Sequence, residues 1–167
     1  AKAIDFIQTD VWARSVVFLP ASDVLAAGLF DSTIRMWHLP SNHADKTLEG
    51  HRGWVRSIAV SQDGALLASA SDDDTIRVWN AEDGSVVFDE RAVGVRAVAL
   101  SPDGQLVAAA LGDKTVRLWR IMDGKLLYTL SGHTDWVRCL AFSPDNNLLA
   151  SGSFDKTVHL WNIPDGS

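Results

Sequence analysis

Four tryptophans recur along the chain at nearly constant intervals, and this spacing restricts the fold more than any other feature of the sequence. The intervals are 42, 40 and 42 residues, and each tryptophan closes a run of Thr, a β-branched residue, Arg or His, and an apolar residue: Trp37, Trp79, Trp119 and Trp161. A second series lies 25 residues earlier in each case: Trp12, Trp54, Gly94 and Trp136. A fixed period of about 40 residues is typical of repeat architectures. The sequence therefore predicts four structural repeats.

Each repeat contains short apolar runs separated by turn residues. In the second repeat we predict four strands, at 55–60, 65–70, 75–79 and 85–88. Asp, Asn and Gly occupy the intervening positions, where they favour reversal of the chain. No apolar pattern with a helical period is long enough to compete with this interpretation. The predicted fold class is all-β.

Composition excludes several classes of protein. The chain has 47% hydrophobic and 22% charged residues, which is typical of a folded domain, and its net charge of -6 disfavours nucleic acid as a partner. It has one cysteine, no apolar run long enough to span a membrane and no signal peptide. We expect a soluble protein of the cytoplasm or another intracellular compartment, with no membrane partner and no cofactor.

The repeated phrases are more specific than their period. Gly-His, Ser-Pro-Asp-Gly, Leu-Ala-Ser-Gly-Ser and Asp-x-Thr-Val-x-Leu-Trp follow one another in this order, and they resemble the repeats of WD-repeat β-propellers, although no closing Trp is followed by Asp. The resemblance implies a propeller of four-stranded antiparallel blades within a single domain at 1–167, a half-propeller. The four blades are expected approximately at 8–49, 50–90, 91–130 and 131–167.

The second and fourth repeats each carry a polar quartet, and the two quartets are His51, Ser69, Asp73, Trp79 and His133, Ser151, Asp155, Trp161. The resemblance implies buried structural networks in which Trp donates to Ser, Ser to His, and His to Asp. The first and third repeats have Ala27 and Ala109 in place of the serine. A catalytic triad is the alternative, but a serine within a strand, repeated at equivalent places, favours a structural role. No catalytic residue is predicted.

Other polar groups are weaker candidates for a functional site. His38 and His43 have no carboxylate or cysteine at a metal-ligand spacing, and the Asp72 to Asp74 run lacks the further oxygen ligands of a cation loop. No metal site is predicted. We expect Cys139 to be a small buried apolar residue.

The resemblance also implies that the loops before each first strand and the turns between second and third strands share one face, where partners bind. The candidate residues are Trp12, Trp54, Trp136, Arg52, Phe30, Asp72 and Phe154. Trp and Arg are frequent in binding hot spots. The alternative is that the tryptophans pack between blades.

One arginine recurs two residues after each position of the second series, and the four are Arg14, Arg56, Arg96 and Arg138. They are candidates for a ring near a central channel that holds an anion or an acidic peptide. The alternative is that each arginine pairs with a local carboxylate or extends to solvent.

The last repeat ends at the turn that precedes a fourth strand in the other repeats, while residues 3–7 occupy the place of an outer strand. Closing four blades into a ring requires a turn of about 90° per blade, and eight blades require about 45°, which is closer to common propellers. We therefore expect a homodimer with two-fold symmetry, closed by exchange of the N-terminal strand into an eight-bladed ring. The alternative is a piece of a longer propeller.

These features together predict a non-enzymatic scaffold for protein–protein interaction. Two alternatives remain open at this point. One is a purely architectural, self-assembling module without a ligand, excised or engineered, and the other is a domain that binds an anion or small molecule in an arginine-lined channel.

Overall fold

The computed structural model describes residues 6–41 and 43–163, and in these residues the chain forms fifteen strands. The described residues include no helix that is long and apolar enough to cross a membrane. The strands are β1 (Ala13–Phe18), β2 (Val24–Leu29), β3 (Ile34–His38), β4 (Lys46–Leu48), β5 (Val55–Val60), β6 (Leu66–Ser71), β7 (Thr75–Asn80), β8 (Val86–Arg91), β9 (Ala97–Leu100), β10 (Leu106–Ala110), β11 (Val116–Arg120), β12 (Leu126–Leu130), β13 (Val137–Phe142), β14 (Leu148–Ser153) and β15 (Val158–Asn162).

Each repeat folds into its own antiparallel sheet in which consecutive strands are neighbours. The first three sheets have the orders β1-β2-β3-β4, β5-β6-β7-β8 and β9-β10-β11-β12, and the fourth has β13-β14-β15 in the described residues. The predicted all-β class is confirmed, and so are the four-stranded antiparallel units in three of the four repeats. We refer to these units as the first to fourth sheets.

The turns between first and second strands are held by the side chains that predicted them. In the second sheet, Asp63 Oδ1 accepts hydrogen bonds from the Ser61 hydroxyl at 2.6 Å and from the Ala65 N–H at 3.0 Å. Gly64 has a φ of 75°, in the left-handed region that glycine adopts without strain. The same serine-to-aspartate bond recurs at Ser101 with Asp103 and at Ser143 with Asp145. These side chains satisfy backbone donors that the reversing chain would otherwise leave unpaired.

The hydrophobic core lies between successive sheets. Between the first and second sheets, Ile34 and Met36 pack against Leu67 and Trp79. Equivalent cores join the second sheet to the third and the third to the fourth. Each core is made from one face of a sheet and the opposite face of the next. The first strands β1, β5, β9 and β13 contact one another in chain order.

In the described residues the four sheets do not close into a ring, because β13 does not pack against β1 as each first strand packs against the next. Two apolar sheet faces are therefore left at the ends of the described chain. We call the outer side of the first sheet the leading face, formed by Val16, Phe18, Leu25 and Trp37. Val16 and Phe18 are exposed, whereas Trp37 is buried in a cluster that Ile7 and Val11 cover. We call the outer side of the fourth sheet the trailing face, formed by Cys139, Ala141, Leu148, Val158 and Leu160.

The burial predicted for Cys139 is wrong. The thiol is exposed, since it lies on the trailing face and no following sheet packs against it. The residue at the same place in the second sheet, Ser57, is covered in part because the third sheet follows it.

The predicted N-terminal strand at 3–7 falls largely outside the described residues. Of its members, Phe6 and Ile7 are described and lie in no strand, and Ile7 packs against Ala27, Leu29 and Trp37 of the first sheet. The exchange of this strand and the eight-bladed ring stay predictions. Within the described residues, β15 pairs with β14 alone.

Candidate functional site

The polar quartet of the second sheet forms a continuous chain of hydrogen bonds. The indole Nε1–H of Trp79 donates to Ser69 Oγ at 2.8 Å, Ser69 Oγ lies 2.7 Å from His51 Nε2, and His51 Nδ1 lies 2.9 Å from Asp73 Oδ2. A carboxylate only accepts, so Nδ1 carries the ring hydrogen and Nε2 accepts from the serine hydroxyl. The fourth sheet repeats the three distances as 2.8, 2.8 and 2.7 Å: Trp161, Ser151, His133 and Asp155.

The quartets also fix the loops at one end of the sheets. Asp73 Oδ2 accepts the backbone N–H of Arg52 at 2.8 Å, and Asp155 Oδ2 accepts that of Thr134 at 3.0 Å. Thr75, which the sequence reasoning missed, adds its own N–H and hydroxyl to Asp73 Oδ1. Its place two residues after each turn aspartate was the signal that could have identified it. Each quartet thereby ties the loop before a first strand to the turn between the second and third strands.

Burial and hydrogen bonding shift the pKa values of His51 and Asp73 in the second sheet, and hydrogen bonds from Thr157, His133 and the Thr134 N–H lower the pKa of Asp155 in the fourth. Burial lowers the pKa of His51, and the hydrogen bond and charge of Asp73 only partly oppose this. For Asp73, partial burial raises the pKa, but the hydrogen bonds from Arg52 N–H, Thr75 and His51 outweigh it and lower the pKa to about 2. At neutral pH the pair is therefore a neutral imidazole donating to a carboxylate.

The serines of the quartets are inaccessible to a substrate. Ser69 and Ser151 are both 0% exposed, and each hydroxyl contacts an indole and an imidazole. An attacking hydroxyl needs an open side where a substrate carbonyl can approach. The geometry therefore supports the structural role of these residues.

The loops before the first strands and the turns between second and third strands lie at the same end of the molecule, because consecutive strands are antiparallel. We call this end the loop face. The backbone N–H of each turn residue donates to the carbonyl of a tryptophan at 3.0 Å, and the pairs are Phe30 with Trp12, Asp72 with Trp54, and Phe154 with Trp136. The predicted partner-binding residues of these three sheets are thus adjacent.

Three aromatic side chains pack together at the start of the loop face. Phe30 stacks on Trp54, with ring centroids 4.5 Å apart and planes inclined by 15°, and Trp12 meets Phe30 edge-on at 5.5 Å. Phe30 belongs to the first sheet and Trp54 precedes the second. This stack therefore joins two sheets at their loop end.

Arginines continue the aromatic series across the loop face. The Arg56 guanidinium lies 5.9 Å from the Trp54 ring and forms an ion pair with Asp72. Arg96 lies 3.5 Å from the same carboxylate and 5.6 Å from the ring of Trp136. We call the whole series the aromatic–arginine strip, and its members are Trp12, Phe30, Trp54, Arg56, Asp72, Arg96, Trp136, Arg138 and Phe154.

Arg96 can span this distance because the third sheet has glycine at the two loop-face positions that separate the neighbouring side chains in the other sheets. Gly94 and Gly112 face each other where the other sheets have a tryptophan and a turn residue, and a Cβ on Gly94 would lie 3.1 Å from the Cα of Gly112. Gly94 has a φ of 69°, which also favours glycine. At the far end of the strip, Arg138 lies 4.9 Å from the Phe154 ring.

The large side chains of the strip remain accessible. Trp12 is 75% exposed, Trp54 46%, Trp136 44% and Phe154 57%. Packing between sheets, the alternative for these tryptophans, applies to Trp54 through its stack with Phe30 but leaves much of its ring uncovered. Exposed aromatics in one continuous area are a feature of interaction sites.

The four predicted channel arginines do not share one environment. Arg56 and Arg96 both pair with Asp72, as the local-carboxylate alternative expects. Among the described residues, no carboxylate pairs with Arg14 or Arg138. Arg52 is exposed, and its backbone N–H makes its contact to the quartet.

A metal site finds no support in the described chain. His38 does have a carboxylate nearby, since its Nδ1 lies 3.2 Å from Asp45 Oδ2, which corrects the expectation that this loop offers none. No third ligand joins them, and the described residues contain no group of three His, Cys, Asp or Glu able to hold a metal ion.

The repeats match a known family along nearly the whole described chain. A family model for the WD domain, G-beta repeat, matches residues 7–38, 44–80, 85–120 and 124–162. The chain belongs to the WD40 repeat family. A comparison with curated proteins gave no significant match. WD40 repeats generally mediate protein–protein interaction and are generally non-enzymatic.

The resemblance to WD-repeat proteins is thus confirmed, and each sheet is one WD40 blade. The second and fourth blades carry the full quartet, and the first and third blades do not. The aromatic–arginine strip crosses the loop face of all four WD40 blades, with Arg96 as the contribution of the third.

Proposed function

We propose that this chain is a non-enzymatic scaffold that binds a segment of a protein partner on its loop face. The observation that carries the proposal is the aromatic–arginine strip, in which exposed aromatic rings and guanidinium groups follow one another across four blades. Tryptophan and arginine supply large contact areas on binding, and both are enriched among hot spots. The structural role of the quartet serines supports the non-enzymatic part.

The strip favours an extended segment with both apolar and acidic side chains. Apolar side chains of such a segment would lie against Trp12 and Trp136, whose rings are accessible. A carboxylate would pair with Arg138, which rests on the Phe154 ring and has no carboxylate partner among the described residues. An arginine held against an aromatic ring loses little further freedom when it binds, and this favours affinity.

The test begins with peptides selected from a displayed library on the immobilised chain. The affinity of a selected peptide is then measured by titration calorimetry for the wild type, Trp136→Ala and Met122→Ala. Met122 is the matched control, since it is 86% exposed but lies in the β11–β12 turn at the opposite end of the blades. We expect Trp136→Ala to weaken binding at least tenfold and Met122→Ala to leave it unchanged.

Either of two outcomes would contradict the proposal. If Trp136→Ala and Met122→Ala bind the peptide equally, the peptide does not use the strip. If no peptide is selected in repeated rounds, the architectural module without a ligand becomes the better interpretation.

The anion-binding alternative has weaker support. A ring that holds an anion needs guanidinium groups free of carboxylates, but Asp72 occupies both Arg56 and Arg96. An anion between these arginines would have to compete with a carboxylate that is part of the chain.

A further inference from the structure

The leading and trailing faces are two halves of a core that the chain already builds three times. Val158 and Leu160 of the trailing face are 71% and 66% exposed. Their equivalents in the first three blades are buried against the following blade: Ile34 and Met36, Ile76 and Val78, Val116 and Leu118.

The leading face likewise exposes apolar residues that are covered in the other blades, in this case by the preceding blade. Val16 and Phe18 are 59% and 62% exposed. Their equivalents pack against the preceding blade, and these are Ile58 and Val60, Val98 and Leu100, Leu140 and Phe142. A groove of about 410 Å³ runs along this face, lined by Ile7, Val16, Leu25, Ala27 and Trp37.

Hydrogen bonds between blades give the register in which two such faces meet. The Ile58 N–H donates to Ser15 Oγ at 3.1 Å, and the Val98 N–H donates to Ser57 Oγ at 3.2 Å. Cys139 occupies the place of Ser15 and Ser57 in the fourth blade, and Val16 occupies the place of Ile58 and Val98 in the first. Cys139 on the trailing face would therefore lie against Val16 on the leading face of another chain.

We propose that a second copy of this chain docks its leading face on the trailing face of the first, with Cys139 of one copy against Val16 of the other. With two-fold symmetry both faces of both copies are covered at once, whereas the same contact without closure would continue into a filament. Continuity with the three existing cores argues for this occupant, because each existing core joins these same two kinds of face. The proposal is independent of partner binding on the loop face.

A disulfide tests the register directly. In the full chain carrying Val16→Cys, the new thiol would lie opposite Cys139 of the second copy, because the equivalent residues Ser15 and Ile58 are joined by a hydrogen bond of 3.1 Å between Oγ and N–H. A disulfide forms only between residues that approach this closely. After mild oxidation we expect a covalent species of twice 18.2 kDa that reduction converts to one chain. Val86→Cys is the matched control, because Val86 is 44% exposed and lies on neither end face. It should give at least tenfold less of this species.

Two results would overturn the proposal. A disulfide within one chain, with loss of both thiols at 18.2 kDa, would mean that the arc closes on itself. Equal amounts of covalent dimer from Val16→Cys and Val86→Cys would mean that the disulfides form by random collision between chains.

Light scattering on reduced protein gives an independent measure. We expect a mass of two chains for the wild type, one chain for Leu160→Asp, and two chains for Met122→Asp, with folding of each checked by circular dichroism. A wild-type mass of one chain, or a series of larger masses that grows with concentration, overturns the closed pair.

Discussion

The guanidinium group of Arg96 reaches back to the carboxylate of Asp72, with 3.5 Å between Nη1 and Oδ1, and thereby links the third blade to the second. The same carboxylate also pairs with Arg56. Asp72 is thus the centre of the aromatic–arginine strip. Both partners of the Arg96 pair are about a quarter exposed, at 26%, so the attraction is open to screening by solvent and salt.

Replacing this central carboxylate should have a small effect that depends on salt. We expect Asp72→Asn to lower the free energy of unfolding by up to about 1 kcal/mol at low ionic strength, and by less at high ionic strength. Urea unfolding at two salt concentrations measures the difference. Glu49→Gln, which removes a charge from an exposed residue elsewhere, is the control. A loss that persists unchanged in high salt would show that Asp72 acts by means other than charge.

Removal of a quartet hydroxyl should lower the free energy of unfolding. In Ser69→Ala, the indole N–H of Trp79 loses its hydrogen-bond acceptor, and Nε2 of His51 loses the hydroxyl that donates to it. A buried polar group without its partner costs about 1–3 kcal/mol. Chemical denaturation should show a loss of this size, while the exposed control Ser85→Ala should stay within about 0.5 kcal/mol of wild type. Equal stabilities for the two variants would argue against the network.

Lowering the pH should destabilise the second blade in two stages. The pKa of His51 is lowered by burial, so between its folded value and the ordinary value of 6.5 the unfolded chain binds a proton that the folded chain does not. The contribution of His51 to the free energy of unfolding is complete above pH 6.5. It declines as the pH falls below 6.5, by at most about 1.4 kcal/mol per pH unit. The contribution of Asp73, whose pKa is about 2, is lost only from pH 3.8 downwards.

The comparison that isolates the histidine uses urea unfolding between pH 7.5 and 5.5. We expect the free energy of unfolding to fall less steeply in His51→Gln than in the wild type, and the exposed control His43→Gln to follow the wild type. Parallel slopes for wild type and His51→Gln would assign the acid sensitivity to other groups.

Close packing between the first two blades depends on the absence of a side chain at Gly28. A Cβ there would lie 2.6 Å from Cγ1 of Val55, which is fully buried in the core between these blades. Overpacking of this kind costs about 1–3 kcal/mol. We expect Gly28→Ala to lower the melting temperature accordingly, as followed by calorimetry. An unchanged melting temperature would mean that the blades separate without strain.

Much of the blade architecture could be predicted because it is encoded locally and repeated. The turn residues Ser61 and Asp63 hold their own backbone, so they predict a reversal without knowledge of any distant contact. The quartets could be identified because equal spacing places the same four residue types at equivalent positions twice. The family resemblance followed from the same repetition.

The side-chain arrangement of the loop face could not be predicted, because it depends on how blades are placed relative to one another. Nothing in the sequence shows that Arg96 crosses the gap at Gly94 to reach both Asp72 and Trp136. The exposure of Cys139 has the same origin. A free cysteine within a strand predicts a small buried apolar residue, but burial requires a following blade.

The division of the core into separate layers between neighbouring blades has a consequence for how the chain is made. In residues 6–41 and 43–163, every strand pairing joins strands that are consecutive in the chain, so a blade can form as soon as its own residues have left the ribosome. Each new blade then meets an apolar surface that the previous blade already presents. During synthesis the growing chain therefore needs to protect only its two outermost surfaces, however many blades it contains.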